Sequence, residues 1–422
     1  PKRNIQHSIY HVYERSSRGM MTETENKWMF RVLLLMALAS NVSTGVMVGA
    51  IALGGLIVLA GVLRRRALPM TDTGLAKAVL LYLIVWIVCA VGAREQMMSM
   101  HSVIGTSYRF LPLFFVLLYV RTKEQVRLLV LVFAVSVCIN NIVSLWQIAV
   151  HGEVWWRPKG LVHSATFLGS HMLMAIPVFF FFSRKNYFRP IEQRFLLGMA
   201  VFSLIILVLS QTRGAWIAFV LVMIAYILLE RRFRRQLLLG GAIGVLCIAG
   251  IMLLSSNYSQ RLATITNPQM QSNLERTYMW RAAVSMWEEH PVTGVGMDEY
   301  GWYYNTIYIP PEAKERPVVE GRPETGHGHP HNNILKHLSE GGILGLAAYF
   351  VLHGYILLRL WRQYRKERNT VAFSCALMGI LVFLGVHLEG MTDTNINQLS
   401  ILTEYCMLMG LSLLAGKLED DA

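Results

Sequence analysis

Long apolar runs alternate with short basic clusters along this chain. Runs such as "GVMVGAIALGGLIVLAGVL", "RLLVLVFAVSVCINNIVSLWQIAV" and "QLLLGGAIGVLCIAGIMLL" approach the roughly 20 residues a helix needs to cross a ~30 Å hydrocarbon core. The pattern predicts an all-α polytopic membrane protein with about twelve spans. They fall near 28–42, 44–63, 74–93, 103–120, 126–150, 165–183, 195–211, 214–230, 236–254, 335–361, 371–388 and 398–415. The first is short and contains Arg31. Basic clusters fall at 64–66, 121–127, 183–194, 231–235 and 362–368. With both termini cytoplasmic, every cluster is cytoplasmic, as the Lys/Arg bias of membrane proteins requires. The opposite orientation would export all five.

The alternation breaks once, between the ninth and tenth spans. Residues 255–334 hold six Lys/Arg and nine Asp/Glu, too polar to span and long enough to be functional. In the same topology this segment is external, as are the loops near 94–102, 151–164, 211–214 and 389–397. Within it, "SNLE" (Ser272 to Glu275) has the form of a capping box, followed by "RTYMWRAAVSMWEEH" and a stop at Pro291. Met279, Trp280, Ala283, Met286 and Trp287 share roughly one face, so this helix is expected to pack on the membrane domain or at its surface. Gly294 and Gly296 follow in a turn.

Composition agrees with a membrane protein and removes alternatives. Of 422 residues, 54% are hydrophobic and 15% charged, with mean hydropathy +0.42; a soluble domain carries about a quarter charged residues. The net charge of +13 sits between apolar runs, which points to topology and lipid headgroups, not to nucleic acid. The five cysteines lie within spans without paired spacing, so neither disulfides nor thiolate metal sites are expected. No cleavable signal peptide is evident, and Met20 or Met21 could be the natural start. The expected organisation is a cytoplasmic segment 1–27, a transmembrane bundle 28–194, a core 195–361 including loop 255–334, and C-terminal helices with a short cytoplasmic tail, 362–422.

Several charges sit where topology disfavours them. Arg213, in "LSQTRGAWIAF", lies at the outer end of two spans joined by almost no loop, and an ionisable group there is a functional candidate. Arg276, expected in the first turn of the external helix, would combine its guanidinium with the helix dipole to suit a phosphate. Arg281 points about 140° away on an ideal helix, with Glu288 or Glu289 as its alternative partners. Arg157 and Lys159 add external charge beside tryptophans, where headgroup contact is the simpler reading. Arg109 is placed inside the bundle, and Asn140 and Asn141 suit interhelical hydrogen bonds. Together these describe an outward-facing, membrane-level cavity for a lipid-linked polyanion such as a lipid diphosphate. An anion or lipid transporter remains a second reading.

His327, His329 and His331 alternate in "HGHPHNNILKHLSEGGILG". The spacing matches no strong zinc pattern and no external cysteine assists, so no metal is expected. His331 is best placed for proton transfer, since it immediately precedes a helix beginning near Asn333. Its alternative is a helix cap; His337 is expected to be structural.

The segment "HNNILKHLSEGGILG", preceded in order by "QTRGAW", "ERTYMWRAA" and "HPVTGVGMDEY", resembles the bacterial O-antigen ligases and the related O-antigen polymerases and O-linked oligosaccharyltransferases. The likeness covers about residues 195–360. It implies a GT-C-type glycosyltransferase in the inner membrane, with its active site facing the periplasm and no cofactor or metal. The donor would be polysaccharide on undecaprenyl diphosphate and the acceptor the lipid A-core oligosaccharide. Carried onto this chain, it implies that Arg213 and Arg276 bind the diphosphate and His331 acts as general base. Arg281, Asn332, Arg157, Lys159 and Arg109 are the further substrate-binding candidates. The short tail "KLEDDA" argues against the protein-glycosylating relatives, and a polymerase is the remaining alternative.

Overall fold

The computed structural model describes residues 21–69, 72–152, 156–230, 270–314, 326–366 and 371–414. The expected ninth span at 236–254, its flanking basic cluster 231–235 and the acidic tail lie outside the described residues. Within them the chain is helical, and no strand occurs. The helices are α1 (Glu23–Ala39), α2 (Thr44–Arg65), α3 (Thr73–Val91), α4 (Gln96–Ser107), α5 (Leu111–Tyr119), α6 (Lys123–His151), α7 (Ala165–Phe182), α8 (Pro190–Leu209) and α9 (Arg213–Leu229). Beyond the central segment come α10 (Gln271–Glu289), the one-turn α11 (Tyr300–Tyr303), α12 (Asn333–Lys366), α13 (Val371–Glu389) and α14 (Leu399–Leu414).

Each expected span that falls among the described residues is met by a helix. Among the described residues, seven segments are long and apolar enough to cross a membrane: α2, α3, the α4–α5 run, α6, α7, α8 and α12. Three further apolar helices, Arg213–Leu229, Cys375–Glu389 and Leu399–Leu414, are shorter. Local chemistry fixes several starts. Thr22, Ser43, Asp72, Thr122 and Ser164 accept backbone N–H groups at the heads of α1, α2, α3, α6 and α7, each cap contributing about 1 kcal/mol. α14 is buried from Ser400 to Leu414 and forms the centre of the bundle. Asn141 donates to Ser203 on α8, the interhelical hydrogen bond its mid-span position suggested, whereas Asn140 donates to Asn41 in the turn between α1 and α2.

α12 is broken. Gly342 leaves helical geometry at φ 58° and ψ −156°, so the helix is two pieces meeting at a kink. Such a break is tolerated in an apolar setting only when the freed backbone groups find partners. Here they do. Ser339 and Glu340 carbonyls accept from Val295 (3.0 Å) and Gly296 (2.9 Å), while Ile343 and Leu344 donate to the carbonyls of Pro291 (2.9 Å) and Val292 (3.2 Å). A Cβ on Gly342 would lie 2.4 Å from the Val292 carbonyl group, and one on Gly294 2.3 Å from the Glu340 carbonyl carbon. The "PVTGVG" and "EGGILG" segments therefore interlock backbone to backbone.

α10 keeps a small core outside the main one. Met279, Ala282, Ala283 and Met286 are buried with Val295, Tyr300 and Tyr304, so Met279, Ala283 and Met286 of the foreseen face turn inward, while its Trp280 and Trp287 are only half-buried. Its start differs from the expected capping box. The helix begins at Gln271 and its N-cap, Met270, supplies no side-chain hydrogen bond. The Ser272 hydroxyl instead accepts from Arg213 at 2.9 Å.

Candidate functional site

The head of α12 organises the site. Asn332 is its cap: the side-chain oxygen accepts from Ile334 (2.9 Å) and Leu335 (3.0 Å), and the amide donates to the Met391 carbonyl (2.9 Å). Capping therefore falls to Asn332 and releases the ring of His331. His331 itself stands at φ 48°, a left-handed conformation uncommon for a side-chain-bearing residue and concentrated at functional sites. Its Nδ1 lies 2.9 Å from Oδ1 of Asp393, in the α13–α14 connector. An ionised carboxylate only accepts, so Nδ1 carries the proton and Nε2 is left with a free lone pair. Burial alone would raise the Asp393 carboxyl. The His331 ring, donating to it and charged when protonated, outweighs burial and holds it below the ordinary carboxylate range.

Asp393 was not foreseen. It lies 62 positions from His331 in a polar connector, "GMTDTNINQ", between two apolar helices. The available signal was that this stretch is rich in hydrogen-bonding residues and that the topology expected from the sequence puts it on the same side as the histidines. The connector is anchored on both sides. Asn333 donates its backbone N–H to the Gly390 carbonyl (2.7 Å) and its side chain to Asn395 (2.7 Å), and Thr394 accepts from the Asn332 backbone (3.2 Å).

The three residues carried by the sequence reading are brought together through α10. Arg213 opens α9, is largely buried, and reaches Ser272 and Asn273 at 2.9 Å each. Arg276 lies one turn further along the same face. One turn beyond it, the Trp280 indole donates to the Pro330 carbonyl at 2.9 Å, next to His331. The rise from Ser272 to Trp280 is about 12 Å at 1.5 Å per residue. The ring closes on the other side, where a Cβ on Gly214 would lie 2.0 Å from the Thr392 hydroxyl, the neighbour of Asp393. Arg213 and the His331–Asp393 pair thus flank α10, and Arg276 lies between their two contact points along that helix. Arg276 is the sixth residue of α10 and not in its first turn, beyond the helix's free N–H groups, which end with the fourth residue.

The other candidates scatter. Arg157 donates to the Ser210 carbonyl (3.0 Å) and contacts Thr212 (3.5 Å), beside Arg213. Lys159 is exposed and uses its backbone on Gln147. Arg109, in the turn between α4 and α5, donates to the Asn397 carbonyl (2.6 Å) and so braces the far end of the Asp393 connector. Arg281 faces away from Arg276 and lines a separate cleft of about 360 Å³ with Tyr278, Ser285, Tyr308 and Glu312. His337 is structural as expected, held between the Asn333 carbonyl (2.7 Å) and the Tyr82 hydroxyl (3.0 Å).

The remaining histidines cluster around His331. The His329 ring lies 4.4 Å from that of His331 and the His327 ring 6.4 Å, both edge-on. Burial first, and the neighbouring His331 second, push His329 down to about 3, so its ring is neutral near pH 7. Asn305 clamps the His327 backbone from both sides, accepting at 3.2 Å and donating at 2.9 Å. Among the described residues, His329, His331 and Asp393 are the group able to hold a metal ion, with one ligand atom from each lying within 4.8 Å of the others.

Comparison with known proteins bears on the same stretch. Residues 198–350 match the family model described as O-Antigen ligase. That stretch is similar to an O-antigen ligase domain. That match holds Arg213, Arg276, His331 and the Gly342 break, while Asp393 lies beyond it. The chain is also similar to the O-antigen ligase of Salmonella typhimurium strain LT2, 25% identical over 234 residues. The similarity covers 54% of this chain and 54% of that relative, so the chain spans about half the length of the curated relative it matches.

Proposed function

We propose that this chain is a membrane glycosyltransferase of the O-antigen ligase type. It would transfer polysaccharide from undecaprenyl diphosphate to a sugar hydroxyl of the lipid A-core, at the periplasmic face of the inner membrane. The observation that carries this reading is the His331–Asp393 pair set on the same rim as Arg213 and Arg276. Asp393 fixes the His331 tautomer, and Nε2 accepts the proton of the attacking hydroxyl. Oxygen attacks the anomeric carbon in line, the bond to the diphosphate breaks, and configuration inverts. Arg213 and Arg276 stabilise the charge that grows on the leaving diphosphate. That group leaves without protonation, so a base and positive charge suffice and no metal is required. Arg157 supports the same rim through the Ser210–Thr212 turn, whereas Asn332 and Arg109 act by holding the connector. Arg281 and Lys159 contact glycan or headgroups away from the reacting atoms.

The test is transfer by purified full-length protein in lipid vesicles, supplied with undecaprenyl-diphosphate-linked glycan, lipid A-core and excess chelator. The expected product is the glycan joined to lipid A-core. Chain growth on the polyprenyl carrier would make the protein a polymerase instead. Anion flux without transfer would replace both readings with a transporter.

A further inference from the structure

The cluster that the transfer reaction leaves half used is His329, His331 and Asp393. His331 and Asp393 are paired at 2.9 Å. His329 stacks edge-on against His331, and its Nδ1 is buried without a hydrogen-bond partner. A buried imidazole nitrogen left without a partner is costly and calls for an explanation. Two imidazoles and one carboxylate form a common ligand set for zinc, which binds them at about 2.0–2.2 Å and leaves a fourth position to water. Tetrahedral ligands then stand about 3.3 Å apart. The present spread of up to 4.8 Å must contract by about 1.5 Å to reach that value.

We propose that His329, His331 and Asp393 form a zinc-binding site whose occupation switches off the general base. This rests on the reading of His331 as base. In the metal-free site the single ring proton of His331 is on Nδ1, facing Asp393, and Nε2 is open. Zinc takes the Nδ1 lone pair, so the proton moves to Nε2, and Asp393 passes from hydrogen-bond acceptor to ligand. The proton count is unchanged, but the face that accepted a proton from the acceptor hydroxyl has become a donor. Inhibition thus follows from a tautomer change, without blocking the arginines. His329 is the residue that distinguishes this site from the simple His–Asp pair.

Zinc ion is the probe, and the full chain in detergent micelles is the sample. Competition with a chromophoric chelator should give one ion per chain, weakened by about a hundredfold or more in His329→Gln. In histidine-¹⁵N spectra, zinc should move the His331 proton from Nδ1 to Nε2. Transfer by the unaltered protein should fall with zinc and return with chelator, while His329→Gln keeps transfer and loses the sensitivity. Equal zinc affinity in the unaltered protein and His329→Gln overturns the site. Zinc that restores activity to chelated protein overturns the inhibitory role and makes the ion a catalytic group. The binding and spectral arms require no turnover. A chain that binds zinc and shifts the proton yet transfers no glycan upholds this inference and sinks the ligase reading.

Discussion

His331 Nδ1 and Asp393 Oδ1 stand 2.9 Å apart although the residues lie on different helical connections. The pairing converts an isolated histidine into an oriented one, with a stated tautomer and one free nitrogen. His331→Ala should lower transfer by about 10²–10⁴-fold, the usual range for a general base. Asp393→Asn retains the volume but presents an amide that can donate to Nδ1 and reverse the tautomer, so a loss of similar order is expected. Both should bind donor normally. Transfer and donor binding, measured side by side, check this; near-normal turnover in His331→Ala excludes the base.

Arg213 and Arg276 should behave differently from the pair. Each replaced by alanine should raise the half-saturating donor concentration by about 10–100-fold, the equivalent of one charged hydrogen bond. Lysine should rescue neither fully, because a point charge cannot reproduce the planar fork that meets two phosphate oxygens. Arg281→Ala, in its separate cleft, should leave donor affinity unchanged. A donor titration across the five variants reads all of this.

Asp298 offers a pH test outside the reacting atoms. Its carboxylate lies 2.9 Å from Lys336, whose Nζ also reaches Glu340 at 2.8 Å. The Lys336 charge chiefly holds Asp298 down to about 2, from an ordinary 3.8. A depressed carboxyl contributes stability that is complete above the unfolded value and disappears as pH falls from 3.8 towards 2. Because its side chain is half exposed, screening limits the contribution to about 1 kcal/mol or less. Asp298→Asn, which tolerates the same φ of 62°, should flatten thermal stability across that window. An unchanged acid limb in the variant would remove Asp298 from the account.

The interlock at Gly342 predicts a stability effect with an internal control. Gly342→Ala meets the Val292 carbonyl group at 2.4 Å and a left-handed φ of 58°, so a cost of about 2–4 kcal/mol is expected. Gly354→Ala, in the same helix with nothing within 4 Å of the added carbon, should be neutral or slightly stabilising. Thermal midpoints in detergent compare the two; equal midpoints would falsify the interlock as a stabilising contact.

The spans were legible because each apolar run had to supply its own helix, and length and hydropathy define that requirement locally. Arg213, Arg276 and His331 stood out as candidates because charge and imidazole contrast with apolar neighbours. Asp393 did not, since nothing local to "TDTN" reveals that it meets a histidine 62 positions earlier. Ser272 misled for a related reason. Its spacing to Glu275 fits a cap, yet the stronger demand came from Arg213, a distant residue needing an acceptor. Arg281 fell to the far face once the helix turned its apolar side inward. Local periodicity thus identifies what each segment can do, and packing decides which partners it meets.

The exchange of hydrogen bonds at Gly342 also constrains biogenesis. The N–H groups of Ile343 and Leu344 and the carbonyls of Ser339 and Glu340 find their partners in residues made earlier, Pro291 to Gly296. In lipid, each unmet group costs several kcal/mol. α12 therefore cannot settle in the bilayer until Pro291 to Gly296 have folded against it. Delayed folding of that stretch should leave an insertion intermediate whose last helices are made but unseated, and in which His331 and Asp393 have not yet met.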